Sequence, residues 1–276
     1  MNRGPKKSTM AGALIRAAHI EPTIAVTTLA SLLGVAGGLG APRLLLVAAA
    51  VFAGQLVIGW SNDLLDAGRD AAVGRGDKPL ATGEVSTRAV SAGLGIAAIA
   101  AVGLSAGLGW RSALTHLVLM VGSGIAYNLG LKATLWSWLP YVVAFGSLPA
   151  VVSLAATPPE APKVWIVAAS AALGAAAHFL NTLPDLADDA ATGIRGLPQR
   201  IGGPRSQRVA AALLIAATAV IVLGPPGPAP ATRWVALLLA AALAVGALTG
   251  HGQTPFRCGL AIALLNVLLL VLTAHG

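Results

Sequence analysis

The sequence predicts an all-α integral membrane protein with nine transmembrane helices, and three observations carry that prediction. Hydrophobic residues fill 56% of the 276 positions and charged residues only 10%, whereas soluble domains carry roughly a quarter charged residues. The apolar residues are gathered into runs that match the thickness of a bilayer core, which takes about 20 helical residues, with a range of roughly 17 to 25. Most of the Pro and most of the charge fall in the breaks between these runs.

A basic lead comes first, with Arg3, Lys6, Lys7 and Arg16. It defines an N-terminal segment over 1–22, and the run behind it is too long for the apolar region of a signal peptide. Runs then follow at 23–40, 43–61, 89–109, 113–131, 138–156, 164–182, 209–224, 233–250 and 257–274, the seventh being the shortest. Thr157-Pro158-Pro159 and the stretch from Gly224 to Pro230 separate neighbouring runs, as Pro and Gly do where helices stop. The runs are rich in Ala, Gly and Leu, and small residues let membrane helices approach closely. The chain reads as a single membrane domain over 1–276.

Positive charge orients the spans. With the N-terminus inside, fourteen of the 18 Lys and Arg residues fall on the cytosolic side, and only Arg43, Arg111, Lys163 and Arg233 fall opposite. The net charge of +8 is therefore a topology signal with some attraction to anionic lipid, and it does not point to nucleic acid. The Ala-rich, basic composition suggests a bacterial plasma membrane. The single Cys258 excludes an intrachain disulfide and a cysteine-based metal site. The five histidines show no metal-ligand spacing with a carboxylate, and His178, three residues before Asn181, reads mainly as a packing residue.

This topology puts the two longest hydrophilic segments, 62–88 and 183–208, on the same face. Six of the ten acidic residues lie there in two clusters. The first holds Asn62, Asp63, Asp66 and Asp70; the second holds Asn181, Asp185, Asp188 and Asp189. Both contain Asn-x-x-x-Asp-x-x-x-Asp, and residues four apart share a helix face. Their recurrence four spans apart suggests an internal repeat. Hard oxygen ligands without His or Cys suit Mg²⁺, which is commonly shared between carboxylates and substrate phosphates. Pro184 inside the second cluster either breaks a helix over a polar cavity or simply marks the end of the sixth span.

Residues 62–70, Asn-Asp-x-x-Asp-x-x-x-Asp, resemble the first motif of the UbiA-type intramembrane prenyltransferases. Lys78-Pro79-Leu80-Ala81-Thr82-Gly83 is similar to the segment that follows it in that family. Asp185-x-x-Asp188-Asp189, the tail Gly196 to Gly202, and Tyr127-Asn128 with Lys132 resemble further family patches, and Arg16 to Pro22 resembles its entry helix. The resemblance implies nine helices around a central cavity, with the two Asp-rich motifs on cytosolic-side loops. It also implies a Mg²⁺-dependent enzyme that ionises a prenyl diphosphate and transfers the prenyl group to an aromatic or other lipophilic acceptor. Asn62, Asp63, Asp66, Asp70, Asn181, Asp185, Asp188 and Asp189 are then the metal set, with Asp66, Asp70, Asp185, Asp189 and Lys132 as catalytic residues. Lys78, Arg69, Arg75, Arg200 and Tyr127 are expected to bind substrate. Trp60 and Phe179 are candidates for stabilising an allylic cation or, equally, for anchoring and packing.

The same motifs serve a terpene cyclase of this family, in which the cation attacks its own chain. A divalent-cation transporter is the reading from another class, disfavoured because the spans carry almost no polar path at mid-depth. A CDP-alcohol phosphotransferase needs a compact Asp-x-x-Asp-Gly pattern that the sequence lacks.

Overall fold

An apolar segment in a bilayer can satisfy its backbone only within itself, so helix is what these runs enforce. In the computed structural model, which describes residues 9–274, 77% is helix and the described residues contain no strand. Arg3, Lys6 and Lys7 of the basic lead, and His275, lie outside the described residues.

The elements in order are α1 (Met10–Ala17), α2 (Ile20–Ala36), α3 (Ala41–Ala72) and α4 (Thr87–Ala106). Next, α5 (Trp110–Leu114) runs through a π-helical turn (Thr115–Val121) into α6 (Gly122–Leu129), followed by a 3-10 turn (Leu131–Ala133). The rest are α7 (Leu139–Leu154), α8 (Val164–Thr182), α9 (Leu186–Ala191), α10 (Leu197–Ile201), α11 (Gly203–Leu223), α12 (Ala231–Thr249) and α13 (Thr254–Ala274). Among the described residues, six segments are long and apolar enough to cross a membrane: Ala41–Ala72, Thr87–Ala106, Trp110–Leu129, Val164–Thr182, Gly203–Leu223 and Ala231–Thr249. The pair α1 and α2, bent by 62°, passes when taken together, and Leu139–Leu154 and Thr254–Leu269 are shorter apolar helices. The chain is a multi-pass membrane protein.

Two expectations change here. The second run was expected to end at 61 and its cluster to lie on a loop, but α3 continues to Ala72, so the first motif is helical throughout. Its polar side chains find partners that keep the helix intact: Asn62 donates to Asp66 one turn on, and Arg69 pairs with Asp66, both favourable helix spacings. In the second motif the helix does break. It stops at Thr182 and resumes at Leu186, with Pro184 in the gap, where a residue without an N–H cannot continue the ladder.

The helices close into a ring. α2 packs on α3, α3 on α6, α6 on α7, α7 on α8, α8 on α11 and α13, and α13 returns to α2. α4 covers α3 from outside, and α12 covers α11 and α13. The outer helices expose Ile96, Ile99, Val102, Leu238, Leu239 and Val245, a lipid-facing surface rather than a soluble one. Far from the acidic clusters, Val47, Ala50 and Val51 of α3 join Met120, Leu148 and Val151 in the core.

The bend between α1 and α2 is docked on α3 through backbone contact. A Cβ on Gly59 would lie 2.3 Å from the Ala18 carbonyl oxygen, so only glycine permits this approach. His19, next in the bend, has left-handed backbone angles (φ 51°, ψ 59°), uncommon for a residue with a side chain.

Candidate active site

The ring encloses a cavity of about 1050 Å³. Asn62, Asp66 and Asp70 line one wall from α3, and Asn181, Asp185, Asp188 and Asp189 line the other from the α8–α9 break. Tyr127, Asn128 and Lys132 enter from α6 and the 3-10 turn, and Arg75, Asp77 and Lys78 from the loop after α3. Behind these polar groups the lining turns apolar, with Phe145, Leu148, Leu173, Leu180 and Leu260. The sequence-predicted clusters therefore meet across one space with a charged end and a greasy end.

Asp66 is the most heavily engaged carboxylate. Lys132 Nζ donates to both of its oxygens at 2.6 Å, Arg69 pairs with Oδ1, and Asn62 Nδ2 donates to Oδ2 at 3.1 Å. Lys132 is itself buried. Burial pulls its ammonium pKa below the ordinary lysine value, against the opposing pull of Asp66. Its turn is braced by the chain entering α10: a Cβ on Gly196 would stand 2.5 Å from the Lys132 carbonyl oxygen, and Leu197 N donates to Ser137 Oγ at 3.0 Å. Asp70 is also buried.

Arg75 ties the loop after α3 to the second cluster. It grips Asp77 through Nε and Nη2 at 2.9 and 3.0 Å, donates to Asp185 Oδ1 at 3.1 Å and stands 3.5 Å from Asp188 Oδ2. The Asp77 bond raises the guanidinium pKa, and Arg75 holds the Asp77 carboxyl below the usual carboxylate range. Asp189 accepts from Gln199 Nε2 at 2.7 Å; burial outweighs that bond and pushes its carboxyl up. Asn181 donates to the Tyr141 hydroxyl at 3.3 Å.

Several expected site residues stand elsewhere. Asp63 is 1% exposed and is absent from the cavity wall; its Oδ1 meets His19 Nε2 and Lys78 Nζ, each at 2.8 Å. Lys78 lines the cavity but is held by that carboxylate. Arg200 lies off the wall, its Nε donating to the Arg195 carbonyl at 2.7 Å. Trp60 donates from Nε1 to the Leu14 carbonyl, and Phe179 is buried in the core, so neither ring faces the cavity. The aromatic side chains that do are Tyr127, Tyr141, Phe145 and Phe256. Tyr127 meets Tyr141 edge-on at 5.3 Å, and Tyr141 stacks on Phe145 at 6.4 Å. Sequence reasoning missed Tyr141, Phe145, Asn128 and Gln199 as site residues. Asn128 carried a signal through its place beside Tyr127, and Gln199 through its place in the tail Gly196 to Gly202.

The donors fit magnesium. They are carboxylates and amides, the hard oxygen set that Mg²⁺ prefers. Among the described residues, no three His, Cys, Asp or Glu side chains converge as a metal cage. Mg²⁺ rarely uses such cages, taking one or two carboxylates and completing its shell with water and phosphate. Two partial oxygen sets facing each other suit that habit, with Asn62, Asp66 and Asp70 on one side and Asp185 and Asp189 on the other.

The model of the UbiA prenyltransferase family matches residues 24–273. The chain belongs to that family. As a UbiA protein it is an enzyme of the prenyltransferase class. No curated protein gives a significant match in sequence. Among solved structures its fold is similar to the apo form of a UbiA homolog from Aeropyrum pernix K1, with a TM-score of 0.74 and 20% identity over 92% of this chain and 98% of that one. A UbiA homolog from Archaeoglobus fulgidus bound to GPP and Mg²⁺ aligns with a TM-score of 0.71 and 15% identity over 96% and 100% of the two chains. A digeranylgeranylglyceryl phosphate synthase aligns with a TM-score of 0.67 and 16% identity over 96% and 98%.

Proposed function

We propose that this UbiA protein is a Mg²⁺-dependent intramembrane prenyltransferase that ionises a prenyl diphosphate and passes the prenyl group to a lipophilic or aromatic acceptor. The observation that carries the reading is the pairing of two oxygen-donor sets across a cavity whose far end is apolar. A diphosphate needs the first and an isoprenoid tail the second. The Archaeoglobus homolog bound to GPP and Mg²⁺ supports the choice of donor.

In this reading Asn62, Asp66, Asp70, Asp185, Asp188 and Asp189 hold the metal, with Asn181 beside them. When bound, Mg²⁺ would neutralise charge on the diphosphate and make it a better leaving group. Lys132, Arg69 and Arg75 donate to the departing oxygens, where charge develops. The C1–O bond breaks with its electron pair on the diphosphate, the acceptor supplies the pair for the new bond to C1, and the acceptor's proton is released. The faces of Tyr127, Tyr141 and Phe145 stabilise the allylic cation. The apolar wall keeps water from it until the acceptor arrives. Asp63 and Lys78 serve as a tether for the α1–α2 bend, and Arg200 braces its own loop.

The membrane reading extends the six clear spans to nine crossings by adding α2, α7 and α13, within one domain over 1–276. The basic segment 1–22 and both acidic motifs face the cytosol across a plasma membrane, by the excess of Lys and Arg on that side.

The test is diphosphate release from radiolabelled geranyl, farnesyl and geranylgeranyl diphosphates by purified protein, with Mg²⁺ or EDTA. Release that needs Mg²⁺ and disappears in Asp66→Ala and Asp185→Ala is expected. Incubation with an acceptor panel, or with none, separates transfer from cyclisation. Binding of Mg²⁺ without any cleavage of a prenyl diphosphate refutes the enzyme reading in favour of cation transport.

A further inference from the structure

The first motif offers an amide oxygen as well as carboxylates, and an amide is a useful ligand only if its oxygen faces the metal. The hydrogen bonds around Asn62 decide which way it faces. Asn128 sits on α6 with 6% exposure. Its Nδ2 donates to the Ile58 carbonyl at 3.0 Å and to Ser61 Oγ at 2.9 Å. A backbone carbonyl can only accept, so the Asn128 amide cannot be turned over without setting two acceptors against each other. Its Oδ1 is thereby aimed at Asn62, whose Nδ2 donates to it at 3.2 Å. The same Nδ2 donates to Asp66 Oδ2 at 3.1 Å, and an ionised carboxylate also only accepts. Both protons of the Asn62 amide nitrogen are committed by two acceptors that cannot trade roles, and its Oδ1 takes no bond from the described residues. Asn62 lines the cavity.

We infer that Asn128 is a positioning residue that locks the Asn62 amide with its oxygen turned to the cavity as a ready-made ligand for the divalent cation. The inference rests on the magnesium–diphosphate reading above. Outer partners of metal ligands act in this way generally, fixing the orientation of the group that touches the metal. Among the described residues the second motif has no counterpart to Asn128. Asn181 donates to the Tyr141 hydroxyl, which can both give and take a hydrogen bond, so either orientation of that amide is satisfied.

The experiment measures Mn²⁺ binding by electron paramagnetic resonance in the presence of geranyl thiolodiphosphate, with no turnover required. Wild-type protein, Asn128→Leu, Asn62→Ala and the double variant are compared. Loss of an orienting partner costs roughly 10–100-fold in metal affinity, so Asn128→Leu is expected to weaken Mn²⁺ binding about tenfold. The double variant is expected to match Asn62→Ala, because the effect passes through Asn62. Where Asn128→Leu does not fold, Asn128→Ser takes its place; its hydroxyl is too short to reach Asn62, and the same loss is expected. Undiminished Mn²⁺ binding in the folded Asn128 variants, or a loss that simply multiplies with that of Asn62→Ala, overturns the positioning role and leaves the magnesium reading intact. Failure of the wild-type protein to bind Mn²⁺ with the diphosphate overturns both.

Discussion

Replacing Asp63 by Ala separates a tether from a metal ligand. The carboxylate is 1% exposed and accepts from His19 and Lys78 at 2.8 Å each. Breaking a buried ion pair by removing one partner costs about 3–5 kcal/mol, because the other charge is stranded. The Lys78 side chain is 14% exposed and that of His19 36%, so water relieves part of the loss and the low end applies, about 3 kcal/mol. That is about a hundredfold in the folding equilibrium. His19 also loses the contact that holds its left-handed backbone over α3, so the bend between α1 and α2 is the region expected to loosen. Unfolding of Asp63→Ala in mixed micelles gives the stability, and the Mg²⁺ dependence of diphosphate release gives the metal role. The expected result is a large loss of stability with an unchanged Mg²⁺ requirement, whereas Asp66→Asn raises that requirement. A higher Mg²⁺ requirement in Asp63→Ala with undiminished stability refutes the tether and restores Asp63 to the ligand set that the sequence alone suggested.

Lys132→Met removes the cation that holds both oxygens of Asp66 and would donate to the leaving diphosphate. A fall in kcat of roughly 10²–10³-fold is expected, as for loss of one preorganised donor; a change confined to KM refutes the transition-state role. The Arg75–Asp77 pair predicts an acid response in the loop after α3. Because Arg75 lowers the Asp77 pKa, the unfolded loop takes up the proton first. The pair's stabilisation is complete above the usual carboxylate pKa and is lost as the pH falls through the lowered folded value. Hydrogen exchange over residues 73–86 is expected to quicken below about pH 4, and an acid step of unchanged size in Asp77→Asn refutes the assignment.

Helices were the legible part of this chain because a bilayer leaves an apolar run no other way to satisfy its backbone. The end of α3 was not legible. The apolar run stops at 61, but the helix continues because its polar turns are paired with Lys132, Arg69 and Asn128, the first and last from distant sequence and Arg69 from a later turn of α3. The two acidic clusters were legible as a pair, since their spacing depends only on helix period. Which carboxylates face the cavity was not. On a helical wheel Asp63 falls about 20° from Asp70, so periodicity groups them. They part because the α1–α2 bend descends on α3 at the level of Asp63, through a contact at Gly59 that no local pattern announces. The aromatic rings were legible only in part: Tyr127 lines the cavity, while Trp60 and Phe179 pack, the alternative the sequence left equally open. Proximity in sequence favoured Trp60 and Phe179, while Tyr141 and Phe145 reach the cavity from a helix between the motifs.

The repeated sequence pattern does not make a repeated site, and that difference bears on how the two halves work. In the first motif, unbroken helix, a locked amide and the Lys132–Asp66 pair hold the donors in place before any ligand arrives. In the second, Pro184 interrupts the helix, and Asp185, Asp188 and Asp189 ride on a gap and the short helix α9. Their partners come from short segments: Arg75 from the loop after α3 and Gln199 from the five-residue helix α10. Short elements held by side-chain bonds open more easily than packed helices. The first motif is thus held on one long packed helix, and the second on a helix break and the short α9, secured by side-chain bonds.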